Sequence, residues 1–407
     1  MIAFAEAQRR VLARCTPLDA ETIALADADG RVLAGDLYAP DDLVPFPRSA
    51  MDGFALASGE TLRSREFHVK GAVFAQAAQP LQHALGTASA IATGGPLPLG
   101  ADAVVPIEEV VRLNGSIRLE RPLRPGEHVF DAGEDARRGD RLVLGGTTLE
   151  PPHLGLLAAA GFAQLSVRRR PRVAIVCGGD ELVPVEAVPT YGQIRNSNAS
   201  IVRASVVRAG GIVMSESTIG DASAPLCAAL CAAFDHADLV ITTGGASVGE
   251  RDLIKPLLHD LGAAFAFDSI AMRPGRPTAF ATVGATQIAV LAGNPAAVFV
   301  ALAELVAPAV AALQGCRTPR LPRIGARLGE AVHAKAQRLY LPFVRLHWDG
   351  GFVATPLANQ CSALTRTAAE AHGLAVIEPR ARGYAAGDEV AVDVYRWEGA
   401  AAADPID

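Results

Sequence analysis

Apolar and polar positions fall into blocks along the chain, and the period of the pattern changes from block to block. Between residues 173 and 314, short β-branched runs alternate with stretches of helical spacing. Val173-Ala174-Ile175-Val176 reads as a strand ending in Cys177-Gly178-Gly179-Asp180-Glu181. Ile201, Val202, Ser205, Val206 and Ala209 then share one helical face, and Asn198 stands where a cap would. Further strands are expected over 212–219, 238–241, 264–271, 279–283 and 288–291, with helices over 224–234, 250–261 and 295–313. This βαβ rhythm predicts a three-layer α/β/α domain with a mostly parallel sheet, whose ligands bind beyond the carboxyl ends of the strands.

The flanks differ. Apolar alternation over 339–348 and 352–355 surrounds Asp349-Gly350-Gly351, a hairpin signal, and 374–377 and 389–395 read as further strands. A small C-terminal all-β barrel is expected. Strands, glycines and prolines alternate from 67 to 149, between helical patterns at 2–14 and 151–161. That arrangement predicts an inserted β-rich N-terminal domain. The resulting multidomain α/β chain divides as 1–45 with 141–170 (a linker domain), 46–140 (the insert), 171–318 (the central domain) and 319–407 (the barrel).

Composition narrows the function. The formal charge is −6, with 37 Lys and Arg against 43 Asp and Glu, which gives no general pull toward nucleic acid. Six scattered cysteines form no Cys-x-x-Cys pair, and the nine histidines form no His-x-x-x-His pair, which argues against a zinc site. The N-terminus reads as a short amphipathic helix without a secretory pattern. The apolar stretch 288–313 is interrupted by Asn294-Pro295, Glu304 and Pro308, so a strand, a turn and a buried helix fit it better than a membrane span. A cytoplasmic protein without membrane or nucleic-acid partners is expected.

The densest chemistry lies in Thr242-Thr243-Gly244-Gly245-Ala246-Ser247-Val248-Gly249-Glu250-Arg251-Asp252, directly after an apolar run. A glycine-rich strand-to-helix turn exposes N–H groups to anions. It lacks the spacing of a P-loop or a dinucleotide fingerprint. Asp238 and Asp252 bracket it. Together with Asp52, Asp180 and Glu181 they could hold Mg²⁺, which takes one or two carboxylates plus phosphate oxygens and water. Met272-Arg273-Pro274-Gly275-Arg276-Pro277 is a rigid loop with two planar cations, suited to a tetrahedral oxyanion. Asp52-Gly53, Thr93-Gly94-Gly95-Pro96 and Gly133-Glu134-Asp135 add carboxylates, a hydroxyl and flexible amides, although each also fits an ordinary turn.

Taken in order, these motifs resemble the molybdopterin molybdenumtransferase family, the bacterial MoeA type related to the E domain of gephyrin. They are Ser49-Ala50-Met51-Asp52-Gly53-Phe54-Ala55, Thr93-Gly94-Gly95-Pro96-Leu97-Pro98, Gly133-Glu134-Asp135, Gly179-Asp180-Glu181-Leu182, Thr243–Gly249, Arg273–Pro277 and Gly293-Asn294-Pro295. The resemblance implies an elongated homodimer of four-domain chains, with an active site shared between the central domain of one chain and the N-terminal part of the other. It implies that molybdate and adenylylated molybdopterin react with Mg²⁺ to release AMP and leave molybdenum on the dithiolene. Molybdopterin adenylyltransferase and molybdoenzyme chaperones are the partners it suggests. Catalytic roles are implied for Asp52, Thr93, Asp135, Glu181, Asp238 and Asp252, of which Asp52, Glu181, Asp238 and Asp252 would bind the metal. Substrate contacts are implied for Gly244, Gly245, Ser247, Arg273, Arg276, Asn294, Pro295, Arg338 and Ser362.

Several positions depart from the family pattern. Arg273 and Arg276 stand where lysines are common, Ala292 and Ala297 where proline and serine are, and Gly178 where Ser or Thr is. The C-terminal match is weaker, with Asn359-Gln360-Cys361-Ser362 keeping Gln and Ser. Two other readings therefore stand beside the transferase: a non-catalytic molybdopterin-binding carrier or scaffold, and a nucleotide-pyrophosphate hydrolase on the same fold.

Overall fold

In the computed structural model of the chain, residues 1–73, 81–245, 253–334 and 337–398 are described. The chain forms two compact units. One comprises Met1–Glu21, Gly30–Ala34 and Val167–Asp407, the other Thr22–Asp29 and Gly35–Ser166.

The first unit is built on a six-stranded sheet in the order Ile212–Ile219, Arg172–Gly178, Leu239–Thr243, Thr286–Leu291, Ala279–Val283 and Ala264–Phe267. The first four strands run parallel. Ala279–Val283 runs antiparallel to both its neighbours, because a two-residue turn joins Val283 to Thr286 as a hairpin, and Ala264–Phe267 beyond it runs in the direction of the first four. The expected mostly parallel sheet is present with this mixed edge. The strand beginning at Ala264 ends at Phe267 rather than Ala271, where the chain leaves the sheet and Ile270 N–H donates to Arg276 O at 3.1 Å.

Strand alternation places Val173, Ile175 and Cys177 on one face with Leu239, Ile241 and Leu291. Phe4, Ala7 and Val11 of helix Phe4–Arg14, Val202 and Val206 of helix Ser197–Arg208, and Val298 and Val310 cover that face. Ala174, Val176, Val240, Ile288 and Val290 point the other way, under Leu226 and Leu230 of helix Ser223–Phe234 and Ile254 and Leu258 of helix Ile254–Asp260. Burial on both faces explains why these strands read as unbroken apolar runs.

The apolar stretch after the sheet folds as Pro295–Ala301, a π-helical turn Leu302–Val306, and Ala307–Leu313. It is long and apolar enough to cross a membrane, yet 78% of its most apolar window is buried in this core. The expected 295–313 helix is therefore a core element of the domain.

The π turn carries Glu304, a buried acid. Gln8 Nε2 donates to its backbone O at 3.2 Å and to Oε2 at 3.3 Å, while Oε1 has no partner among the described residues. A cavity of about 220 Å³ beside it is lined by Arg320, Arg323 and Asp393. Asp393 is held by both Arg323 Nε and Nη2 at 2.7 Å. Burial, and then the Asp393 charge, push the Glu304 carboxyl up to about 8, against the pull of Arg323 and Arg320.

The C-terminal part closes as a barrel in the order Arg323–Leu328, Phe352–Pro356, Phe343–Trp348, Gly373–Val376, Glu389–Val394. The hairpin stands at Asp349-Gly350-Gly351, with Trp348 opposite Phe352. The expected strand from Leu339 breaks at Leu341-Pro342, leaving Leu339–Tyr340 to pair outside the barrel. Proline lacks the N–H a ladder needs.

The second unit holds a six-stranded sheet ordered Ala103–Pro106, Gly53–Leu56, Thr87–Ile91, Glu66–Val73, Ser116–Leu119, Val110–Leu113. Gly53 lies between two neighbours, and a β-carbon there would meet Val105 O at 2.0 Å. The Asp52-Gly53 pair is thus a bend entering a central strand, with glycine demanded by packing.

Glu304 generates a pH prediction. Its folded-state value lies above the ordinary carboxyl value of 4.5, so its contribution to stability is fully present below pH 4.5 and is lost as pH rises through about 8. Glu304→Gln keeps the neutral shape at every pH. Its melting temperature is expected to exceed that of the wild type at pH 9, with the difference shrinking toward pH 5; a pH-independent difference in thermal melts would contradict this.

Candidate functional site

Three parallel strands bring their carboxyl ends side by side, and a glycine follows or ends each. Gly244 has φ +84, and a β-carbon on it would come 2.2 Å from Gly178 O. A β-carbon on Gly293 would lie 3.6 Å from the Gly244 α-carbon. Gly178, Gly244 and Gly293 thus pack backbone to backbone and leave a floor without side chains. Asn198, buried in helix Ser197–Arg208, donates Nδ2–H to Gly293 O at 2.7 Å. The cap of that helix is Asn196, whose Oδ1 accepts from Ala199 N–H at 3.0 Å, so the expected cap at Asn198 is corrected by two residues.

Acids gather at one edge of this floor. Asp180 and Glu181 are exposed in the turn after Gly179, and the Glu181 carboxylate lies so close over Gly179 that a β-carbon there would meet Oε2 at 2.7 Å. Asp221 follows the neighbouring strand, and its N–H donates to Asp180 Oδ1 at 2.9 Å. Sequence reasoning missed Asp221, although Ile219-Gly220-Asp221 repeats the strand-glycine-acid pattern of Gly178-Gly179-Asp180.

In the same unit, with Ala292 and Asn294 on either side of Gly293 in its wall, lies a cavity of about 450 Å³, walled also by Met272–Pro277, Ala297, Arg338, Tyr340, Phe343 and Gln360–Ser362. It brings together five of the expected substrate contacts: Arg273, Arg276, Asn294, Arg338 and Ser362. Strand Met272–Arg273 pairs in parallel with Leu339–Tyr340, which carries the loop to this place. Asn294 Nδ2 donates to Ser362 Oγ at 3.2 Å, and Ala296 N–H to Ser362 O at 3.0 Å. Pro295 opens the helix behind them. Gln360 bonds only main-chain atoms, of Phe343 and Leu357, and so shapes the wall. Among the described residues no carboxylate meets Arg273, Arg276 or Arg338. Three uncompensated guanidinium groups around one cavity make a strongly anion-attracting site.

In the second unit the structure joins Asp52 to Thr93. Thr93 N–H and Oγ1–H both donate to Asp52 Oδ1, at 2.7 and 2.9 Å, and these bonds hold the exposed carboxyl below its ordinary value. The two loops are tied by Gly94 N–H to Ser49 O at 2.8 Å and Ser49 N–H to Gly95 O at 2.9 Å. Asp135 is exposed near Gly133 and makes no side-chain bond to either.

Asp238 needs correction. It precedes strand Leu239–Thr243, so it stands at the amino end of the sheet, opposite the glycine floor. There it accepts from Arg169 Nη1 at 2.7 Å, Arg169 Nη2 at 2.8 Å and Arg172 N–H at 2.7 Å. Five residues of strand at roughly 3.3 Å each separate it from Gly244. The geometry makes it an anchor for the segment entering the sheet. Ser247 and Asp252 lie outside the described residues.

Among the described residues no group of three or more His, Cys, Asp or Glu is arranged to hold a metal. Magnesium needs only one or two protein carboxylates beside phosphate oxygens and water, a number that the exposed Asp180 and Glu181 alone could supply.

An α/β sheet with a glycine floor, an arginine-lined cavity and a small C-terminal barrel makes a protein whose site suits phosphorylated or oxyanionic ligands. The comparisons with known proteins are specific. Residues 2–161 match the MoeA N-terminal region (domain I and II), residues 174–312 a probable molybdopterin binding domain, and residues 325–395 the MoeA C-terminal region (domain IV). A molybdopterin molybdenumtransferase of Bacillus subtilis is 35% identical, over 97% of this chain and 94% of the relative. One of Haemophilus influenzae is 34% identical over 79% of this chain and 80% of its own length. The crystal structure of the molybdopterin biosynthesis protein MoeA from Pyrococcus horikoshii superposes with a TM-score of 0.84 at 25% identity, covering 97% of this chain and all (100%) of that one. The chain belongs to the molybdopterin molybdenumtransferase family, enzymes of molybdenum cofactor biosynthesis.

The Asp238 geometry yields a prediction opposite to that of a catalytic acid. Burial pushes the Asp238 carboxyl up, but Arg169 and the Arg172 amide together outweigh it and hold it below its ordinary value of 3.8, so its contribution is present above that pH and lost as pH falls further. Asp238→Asn should lower stability by about 1–3 kcal/mol, the usual cost of lost charged hydrogen bonds. Turnover per folded molecule should stay near the wild-type level. Denaturant titration alongside a turnover assay checks both, and a hundredfold loss of turnover in a fully folded variant would return Asp238 to the chemistry.

Proposed function

We propose that the chain inserts molybdate into adenylylated molybdopterin, releasing AMP and forming the molybdenum cofactor, with Mg²⁺ bound at the acidic edge of the glycine floor. The observation that carries this reading is the 450 Å³ cavity with Arg273, Arg276 and Arg338 on its walls and no carboxylate partner among the described residues. A doubly charged tetrahedral anion matches such a lining.

Each part of the chain then has a task. The N–H groups of the Gly244-Gly245 turn receive phosphate oxygens, since the glycines themselves put no side chain over that floor. Arg273, Arg276 and Arg338 hold molybdate by charge-assisted bonds, and Asn294 with Ser362 orients it from the same wall lining. One or two of the carboxylates of Asp180, Glu181 and Asp221 would hold the magnesium ion, which would neutralise charge on the phosphoanhydride. Water attacks the phosphoanhydride and AMP leaves, and the two dithiolene thiols bond to molybdenum while their protons go to one molybdate oxygen, which departs as water. Asp52, prepared by two Thr93 bonds to one oxygen, keeps its other oxygen available as an acceptor. We place Asp52 and Thr93 against the floor of a second chain, in a homodimer with shared sites.

Two experiments test this. AMP release from adenylylated molybdopterin should depend on molybdate and on Mg²⁺. Glu181→Gln and Asp221→Asn should each slow it by on the order of 10²-fold, and Arg276→Ala should raise the molybdate requirement by roughly 10- to 150-fold. Binding without molybdate-dependent turnover would instead favour the carrier reading, to which the loss of a hydroxyl at the buried wall residue Ala297 lends its weight.

Mixed dimers test the shared site. Asp52→Ala and Glu181→Ala chains, each inactive alone, should recover about a quarter to a half of wild-type activity when combined, because one site of a mixed two-fold dimer is intact. No recovery after verified subunit exchange would place the whole site within one chain.

A further inference from the structure

The Arg273 guanidinium lies 5.0 Å from the centroid of the Tyr340 ring. The contact is built by the backbone. Arg273 stands opposite Tyr340 in the parallel pair, with Leu339 N–H donating to Ala271 O at 3.0 Å and Leu341 N–H to Arg273 O at 2.8 Å. Tyr340 is itself fixed, exchanging both backbone bonds with Ile377 at 2.9 Å and packing its ring against the barrel core. Burial pushes the Tyr340 phenol above its ordinary value, against the pull of Arg273, so the ring remains neutral.

Arg273 is otherwise exposed, and no hydrogen-bond acceptor meets its guanidinium among the described residues. An exposed arginine spreads over many rotamers, and a ligand must bear the cost of ordering it. A ring beneath the guanidinium removes part of that cost beforehand. The ring attracts the cation through its π face without supplying an acceptor atom, and so leaves N–H donors for an anion. A lysine ammonium has no such plane to stack.

We propose that Tyr340 is a positioning residue of the oxyanion cavity, holding Arg273 by stacking so that its donors face the anion, and that this pairing is why arginine suits position 273. The proposal rests on reading the cavity as an oxyanion site.

The test is calorimetric titration of the full chain with molybdate alone. Tyr340→Phe keeps the ring and should bind within about twofold of wild type, while Tyr340→Ala should weaken binding roughly 3- to 30-fold. Tyr340→Leu, which keeps apolar packing for the barrel, should lose as much as the alanine variant and serves in its place if that variant does not fold. In an Arg273→Ala background, removing the ring should cost nothing further, and in Arg273→Lys only a small part of the original loss. Equal losses with and without Arg273 would make Tyr340 a structural residue and overturn the proposal, as would unchanged affinity in the leucine variant. Arg276→Ala reports on the underlying reading. Binding that needs Arg276 but ignores Tyr340 overturns the proposal alone; no saturable binding by the wild type overturns both.

Discussion

The close approach of Gly244 to Gly178 is the constraint on which the larger unit depends. These residues sit at the ends of hydrogen-bonded parallel strands, and any β-carbon on Gly244 would fall 2.2 Å from a carbonyl oxygen of its neighbour. Relief would require the strands to splay at the end where the ligand turns begin. The strands cannot readily splay, because residues on both faces are fully buried, Ile241 and Leu291 on one side and Val240 and Val290 on the other. Tight packing transmits the local contact through the sheet. The floor stays flat, the acidic turn at Asp180 stays at its edge, and Gly293 reaches the same level from the next strand.

Much of this was legible because sheet direction follows from chain order. A βαβ rhythm makes successive strand ends coincide, so Gly178, Gly244 and Gly293, far apart in sequence, belong to one place by chain order alone. Asp238 was misread by the opposite logic. It neighbours the glycine turn in sequence, but it precedes the strand that the turn follows, and an extended strand separates its ends as far as any element can. Other features left no mark in the pattern. The bond from Asn198 to Gly293 and the stacking of Tyr340 on Arg273 join residues 95 and 67 positions apart through loops whose path no periodicity specifies. Asp393 beside Glu304 is of the same kind. The signal available there was a lone acid in an apolar helix, which announced a buried charge but not its partner.

The departures from the family pattern acquire a physical relation to one another in this setting. Ala297 is 3% exposed and contributes to the cavity wall, so the serine hydroxyl common in the family is lost from a place where a donor could face an anion. Arg273 and Arg276 border the same cavity, and each guanidinium offers more N–H donors than the ammonium it replaces, in a plane rather than a cone. Positive charge is unchanged, while donor capacity moves from the helix wall to the proline-stiffened loop. In the proposed reading of the cavity, such a shift would alter where an anion is gripped without emptying the site of donors. It also makes the grip more dependent on direction, because a planar fork rewards alignment that a point charge does not need. A site rebuilt in this way relies on whatever orients its arginines, and the fold supplies that through the strand pair that ties the loop to the barrel.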